Sequence, residues 1–246
     1  MVLEIVGVTK RFAGVTALAD VSFRVGDGTI HAVIGPNGSG KTTLFNVVTG
    51  VYRPTAGEVR LDGVRLDGRD VFEIARRGVA RTFQNPRIFG SMTVAEHLWV
   101  SGEVRGSPWR FSRLVREKAR ERLAFVGLEA LANHPAAGLP QGQRRLLEIA
   151  RALMLDPRVL LLDEPHAGLN PVEKDRLMAV IQRLHEAGLT IMLVEHEMRV
   201  VMQLADRITV LNFGQVIAEG APREIAADEA VVQAYLGRHR EAVRHG

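Results

Sequence analysis

The chain contains no cysteine. Disulfides and thiolate metal sites are therefore excluded, in keeping with a reducing compartment. Long apolar runs are also missing: nothing approaches the roughly 20 consecutive apolar residues that span a bilayer. The opening residues MVLEIVGVTKRF show no positively charged region followed by a long apolar stretch, so no secretory signal is expected. These absences predict a chain that is soluble in itself and reaches a membrane only through a partner. Strong charge of one sign is lacking as well, since the formal net charge is +4 in 246 residues. Arginines gather between Arg105 and Arg122 and in the tail RHREAVRHG. Glu117 and Glu121 interleave with the first group, which reads as a solvated helix face, and no nucleic-acid partner is expected. Internal repeats and low-complexity segments are absent too.

What is present is ordered in two styles. In ALADVSFRV, the residues Ala19, Val21, Phe23 and Val25 alternate with Asp20, Ser22 and Arg24, the period of a half-buried strand. GEVRLDGVRLDG predicts two short strands around an Asp62-Gly63 turn. Later, VLLLDEP, LTIMLVEHE and DRITVLN carry short apolar runs of the kind that buried parallel strands show. Between them PVEKDRLMAVIQRLHEAG reads as a helix, opened by Asn170-Pro171 and closed by Gly188. Strands alternating with helices predict a parallel, helix-covered sheet. From Thr93 to Met154 the pattern is almost wholly helical, interrupted by the loop SGEVRGSPWRFS with Trp109 and Phe111.

TIHAVIGPNGSGKTTLFNVVTG is the strongest local signal. An apolar strand, Ile30 to Ile34, runs into GPNGSGKT, which fits G-x-x-x-x-G-K-[ST] and is followed by an apolar-periodic helix. By chance the fixed positions would match in about one chain in a hundred, and the flanking strand and helix lower that further. Gly35, Gly38 and Gly40 let the backbone turn its N–H groups inward at the positive end of the helix. Pro36, Asn37, Ser39 and Thr43 complete the wrap. Lys41 is placed to reach β- and γ-phosphates, and the Thr42 hydroxyl to meet Mg²⁺.

A second group of residues offers the metal and proton chemistry. VLLLDE ends an apolar strand in two carboxylates: Asp163 is expected in the Mg²⁺ shell, and Glu164 to orient or deprotonate a water. Gln84, after the strand-like VARTF, is a candidate for contact with metal or water. His196, after IMLVE, is a candidate donor to a γ-phosphate.

GPNGSGKTT, TFQ, LPQGQRRLLEIARAL, LLLDEPHAGLNP and LVEH, in this order and spacing, resemble the ATP-binding subunit of ABC transporters over essentially the whole chain. The resemblance implies an α/β fold: a P-loop NTPase core with a mostly parallel sheet, an N-terminal antiparallel β subdomain and an inserted α-helical subdomain. The expected partition is residues 1–92 and 155–225 for the core, 93–154 for the helical subdomain with its signature loop, and 226–246 for a C-terminal helix and basic tail. Two such subunits, identical or paralogous, would sandwich ATP and Mg²⁺. Phe12 would stack on adenine, Gln84 would couple the site to a permease, Asp163 and Glu164 would be the Walker B acid and catalytic base, and His196 the switch histidine. Gln141, Gly142 and Gln143 of the signature loop would meet the partner's nucleotide, with Arg144 and Arg145 either adding charge nearby or meeting carboxylates of the helical subdomain.

Two departures stand out: Pro140 and Gln141 replace the serine and first glycine of the usual LSGGQ, and Asn170 replaces the aspartate that usually ends the loop after Walker B. With AGLNP, VEHEMRVVM, LADRI and VVQAYLG they point to the branched-chain amino acid importer subfamily, and to its G-type ATPase subunit. That subfamily implies two transmembrane permeases, indirectly a periplasmic or extracellular solute-binding protein, and a peripheral place on the cytoplasmic side of the bacterial inner membrane. Two alternatives remain open at this point: an ABC ATPase of a non-transport system, and an ATP-binding scaffold with weak hydrolysis.

Overall fold

The computed structural model describes residues 2–82, 88–102 and 113–235. Gln84, the loop with Trp109 and Phe111, and the basic tail fall outside the described residues. The chain begins with strands β1 (Leu3–Phe12) and β2 (Val15–Val25), then β3 (Ile30–Ile34) and helix α1 (Lys41–Val48). Strands β4 (Ala56–Leu61) and β5 (Val64–Arg65), helix α2 (Val71–Arg76) and strand β6 (Val79–Arg81) follow. The helical stretch comprises α3 (Val94–Gly102), α4 (Arg113–Val126) and α5 (Gln141–Leu153), with 3₁₀ turns at Glu129–Leu131 and Ala136–Gly138. Then β7 (Val159–Asp163), α6 (Pro171–Glu186), β8 (Thr190–Val194), α7 (Met198–Leu204), β9 (Arg207–Asn212), β10 (Gln215–Gly220) and α8 (Pro222–Ala227) close the order, and residues 229–235 are helical again.

Two sheets form. The first is antiparallel, in the order β2-β1-β4-β5; the second runs β10-β9-β3-β8-β7-β6. In the second sheet only β10 is antiparallel to its neighbour. The α/β class with a mostly parallel sheet is therefore the observed one. The Asp62-Gly63 turn is also where it was expected, both residues lying at positive φ (48° and 77°) between β4 and β5, as a tight right-twisting hairpin requires.

The buried strands explain why short apolar runs suffice. All five residues of β3, β7 and β8 are buried. Successive side chains point to opposite faces, so each run feeds two cores. Leu160, Leu162, Ile191 and Leu193 pack toward α5 and α6, whereas Val159, Leu161, Met192 and Val194 pack toward α1 and the antiparallel sheet. Each such side chain contributes about 1.5–3 kcal/mol by burial.

Strand β2 departs from simple alternation. Val21, Phe23 and Val25 are buried as expected, but the next core residue is Leu18, and Ala19 is only half-buried. Asp20 sits at φ 53° and inserts an extra residue between the pairs Val8↔Val21 and Lys10↔Leu18. A one-residue bulge exchanges the faces of every side chain before it.

One core residue carries a pH consequence. His31, the second residue of β3, is fully buried, stacked on Phe23 at 5.1 Å between ring centroids, with Nε2 2.8 Å from the Thr209 hydroxyl. Burial, and then the charge of Arg207, bring its pKa down to about 4. Because the folded-state value is depressed, the unfolded chain binds the extra proton between pH 6.5 and 4, and stability falls as pH drops through that window. The group is expected to account for up to about 3 kcal/mol of acid destabilisation. Urea unfolding at pH 7 and pH 4.5 should show a steeper loss for the wild type than for His31→Gln; equal losses would refute it.

Candidate active site

The carboxyl ends of β3, β7 and β8 lie at one edge of the parallel sheet, where ligands of open α/β sheets bind. After β3 the chain wraps through residues 35–40 into α1. Gly35 lies at φ 149°, and a Cβ there would stand 2.1 Å from the Leu211 carbonyl oxygen; at Gly40, φ 107°, it would stand 2.7 Å from that of Ala17. No other residue type permits this wrap. Gly40 is the N-cap of α1 and supplies no capping side chain, so the first-turn N–H groups remain directed at the loop. Ser39 is buried, its N–H donating to the Pro36 carbonyl at 3.1 Å and its carbonyl accepting from Gly214 at 3.0 Å.

The Lys41 ammonium lies within the wrap and donates to the carbonyls of Gly35 (2.7 Å) and Pro36 (3.0 Å). A cleft of about 310 Å³ opens in front, lined by Ala17, Asn37, Gly38, Gly40, Lys41, Thr42, Thr43 and Glu164. Ala17 is a lining residue that no motif marks; the β2 bulge brings that segment against the loop, and the signal is only the register. Phe12 stands at the β1–β2 turn, 37% exposed, edge-on to Tyr52 at 5.1 Å, with Lys10 Nζ 4.8 Å from its ring. Tyr52 and Lys10 were not anticipated from sequence.

At the end of β7 the two carboxylates diverge. Asp163 is buried, and its Oδ2 accepts from Arg81 on β6 at 2.7 Å; Arg81 also donates to Asn46 on α1 at 2.6 Å. Glu164 enters the cleft at φ 45°, its N–H donating to the Val194 carbonyl at 2.9 Å. His196, exposed beyond β8, has Nδ1 3.8 Å from Glu164 Oε2. Lys41, Thr42, Asp163, Glu164 and His196 thus gather at one sheet edge, while Gln84 lies outside the described residues.

The signature loop is a different matter. Gln141, Gly142 and Gln143 begin α5. The Gly142 N–H donates to Glu173 Oε1 at 3.1 Å, and the same carboxylate accepts from Asn170 N–H at 3.2 Å within the capping box of α6. The Gln141 amide donates to the Ala167 carbonyl at 3.2 Å. Of the two expectations for Arg144 and Arg145, the structure shows contact with the helical subdomain's own groups. Arg144 donates to the carbonyls of Leu139 (2.7 Å) and Ala137 (2.6 Å), and Arg145 is buried beside Glu148 at 3.6 Å. Burial pulls the Arg145 guanidinium below its usual range, against the opposing pull of Glu148 and, further off, Asp163 and Glu195. Both arginines engage the chain's own loop and core, Arg144 through the two carbonyls and Arg145 through Glu148. The carboxylate at this positive helix end is that of Glu173.

Among the described residues no trio of His, Cys, Asp or Glu could by itself cage a metal. Mg²⁺ held with phosphates keeps several waters and needs one or two protein oxygens, a demand that the Thr42 hydroxyl and the Asp163 carboxylate fit.

Comparison with known proteins gives a match of residues 18–167 to the ABC transporter family. The chain belongs to that family. Residues 215–241 also match the branched-chain amino acid ATP-binding cassette transporter family. Among relatives, the high-affinity branched-chain amino acid transport ATP-binding protein BraF of Pseudomonas aeruginosa is 45% identical, covering 96% of this chain and 98% of that protein. LivG of Escherichia coli, with the same description, is 41% identical over 96% and 97%. Among solved structures, the ADP conformation of an ATP-binding cassette of an ABC transporter aligns with a TM-score of 0.89 at 33% identity, covering 96% of this chain and 98% of that one. A dimeric cassette in a post-hydrolysis state bound to ADP and Pi aligns at 0.78 and 28% identity over 90% and 99%. As a member of this family the chain is an ATP-binding subunit of an ABC transporter, an ATPase coupled to transport.

Proposed function

We propose that this chain is the ATP-hydrolysing motor subunit of an importer of branched-chain amino acids. The observation that carries the ATPase reading is the glycine-built wrap with Lys41 at its centre and Glu164 on the rim of the same cleft. The substrate class rests on the match of residues 215–241, a stretch separate from the general ATPase segment, and on the BraF and LivG relatives.

In this reading residues 35–43 bind the phosphates through backbone N–H groups and Lys41, and Phe12 beside Tyr52 meets the adenine. Thr42, Asp163 and Gln84 would hold Mg²⁺, which when bound would supply positive charge to neutralise the phosphates. A water attacks the γ-phosphorus, its proton passes to the Glu164 carboxylate, and the bond from phosphorus to the bridging oxygen breaks to leave ADP and phosphate. His196 donates to the γ-phosphate. Gln141, Gly142 and Gln143 meet the nucleotide of a second ATPase subunit, for which the Gly142 N–H must leave Glu173. Among the described residues no helix is long and apolar enough to cross a membrane. In this reading the motor acts through two permease subunits, at the cytoplasmic face of the bacterial inner membrane, and indirectly with a solute-binding protein.

The test is the assembled transporter in lipid nanodiscs, with ATPase measured with and without its solute-binding protein loaded with leucine, isoleucine or valine. Stimulation by these ligands is expected. Turnover that ignores them but responds to another solute would overturn the substrate class, and ATP binding with no turnover in the full assembly would make the chain a scaffold.

A further inference from the structure

Glu195 has no role in the reaction as described, yet it is fully buried at the end of β8, next to His196. A buried carboxylate costs several kcal/mol unless it is neutralised and hydrogen-bonded. Here both oxygens are engaged. Oε1 accepts from His166 Nδ1 at 2.8 Å and from the His166 backbone N–H at 3.2 Å; Oε2 accepts from the His196 backbone N–H at 3.2 Å. A carboxylate only accepts, so the proton of His166 that faces it is on Nδ1. Burial by itself would push the Glu195 carboxyl up, but the hydrogen bonds and charge of His166 outweigh it and keep the carboxyl below the usual range. His166 Nε2, also buried, has no partner among the described residues. The ring is thus held from one side only, by Glu195.

These contacts link two loops that the sequence keeps apart. His166 lies two residues after Glu164 in the turn leaving β7, where the Ala167 N–H donates to the Glu164 carbonyl at 3.1 Å. Glu195 lies one residue before His196 in the loop leaving β8. Glu164 itself is held at φ 45°, a conformation that persists only where surrounding contacts over-determine it. Its facing partner, His196, has an exposed side chain, 3.8 Å from Glu164 at Nδ1.

We propose that His166 and Glu195 are positioning residues for ATP hydrolysis: one buried hydrogen-bonded pair fixes the backbone of both loops and so sets the geometry between Glu164 and His196. This rests on the reading of Glu164 as base and His196 as γ-phosphate donor. Neither residue of the pair touches the substrate. Its contribution should accordingly appear in kcat and not in ATP affinity.

The experiment uses the full chain with Mg-ATP. For His166→Leu, binding of a fluorescent ATP analogue is expected to stay within about threefold of wild type, a split that separates turnover from ground-state binding. Its kcat is expected to fall by at least about tenfold, as when a supporting shell lets reacting groups drift. His166→Asn places an amide N–H where Nδ1 stood and is expected to recover most of the lost kcat, whereas the longer His166→Gln, whose donor falls nearer the Nε2 position, is not. Wild-type kcat in His166→Leu overturns the proposal, as does a loss of kcat matched by an equal loss of ATP affinity. If His166→Leu does not fold, the comparison of His166→Asn with His166→Gln decides, and equal kcat values overturn it. Glu164→Gln measured in parallel keeps the two readings apart. If Glu164→Gln is inactive and His166→Leu is not, only the positioning role fails; if Glu164→Gln turns over normally, the assignment of the base fails first.

Discussion

Replacing Glu164 by glutamine is expected to preserve ATP binding and to lower turnover by about 10²–10⁴-fold, the usual contribution of a positioned general base. The side chain lines the cleft and is only partly exposed, so glutamine fits the same space without changing the wrap around Lys41. What is lost is the capacity to take the proton of the attacking water. Equilibrium binding of ATP together with phosphate release in single-turnover experiments tests both halves of the statement. Turnover at the wild-type rate would show that the base lies elsewhere; weakened binding would show that the carboxylate acts on the ground state. The expected split has a structural cause. Glu164 reaches the cleft from β7, while the phosphate-binding backbone is built wholly between β3 and α1.

Lys41→Met should do the reverse and remove binding. The ammonium is buried and bonded to the Gly35 and Pro36 carbonyls at 2.7 and 3.0 Å, so it is already gathered in the bend that phosphate oxygens would enter. Two charge-assisted hydrogen bonds at about 1.5–3 kcal/mol each correspond to a loss of roughly 10²–10⁴-fold in ATP affinity. Titration calorimetry with ATP reads this directly. An affinity within a few-fold of wild type would mean that the backbone N–H groups and the dipole of α1 carry the phosphates without it. Methionine is chosen because it keeps the aliphatic stem packed and deletes only the charge.

In this chain the Gly142 N–H is answered by Glu173, which closes its own capping box with Asn170. The usual aspartate and serine of the family are Asn170 and Pro140 here. Asn170 is as good an N-cap as aspartate, its side chain accepting from the Glu173 N–H at 3.0 Å, so that departure leaves the helix start of α6 intact. Pro140, with no N–H to give, leaves the donors to Gln141, Gly142 and Gln143.

Much of this protein was settled by local sequence. The P-loop, the Asp62-Gly63 hairpin, the cap at Asn170-Pro171 and the buried strands β3, β7 and β8 each follow from residues a few positions apart. Backbone sterics, capping and the period of two act over that range, so a single sequence displays them. Other features depended on which segments meet. The bulge at Asp20 that brings Leu18 inward, the turning of Arg144 and Arg145 onto the chain's own carbonyls and Glu148, and the pairing of Phe12 with Tyr52 carry no local pattern. The His166–Glu195 pair shows the difference most directly: DEPHAG and LVEHE both display their residues in the sequence. Their contact exists only because β7 and β8 run parallel in the register Asp163↔Val194, which sets the two strand-end loops side by side. Register is fixed by packing both faces of those strands into separate cores, a global condition that decides how the catalytic loops are tied once the motifs have decided what they contain.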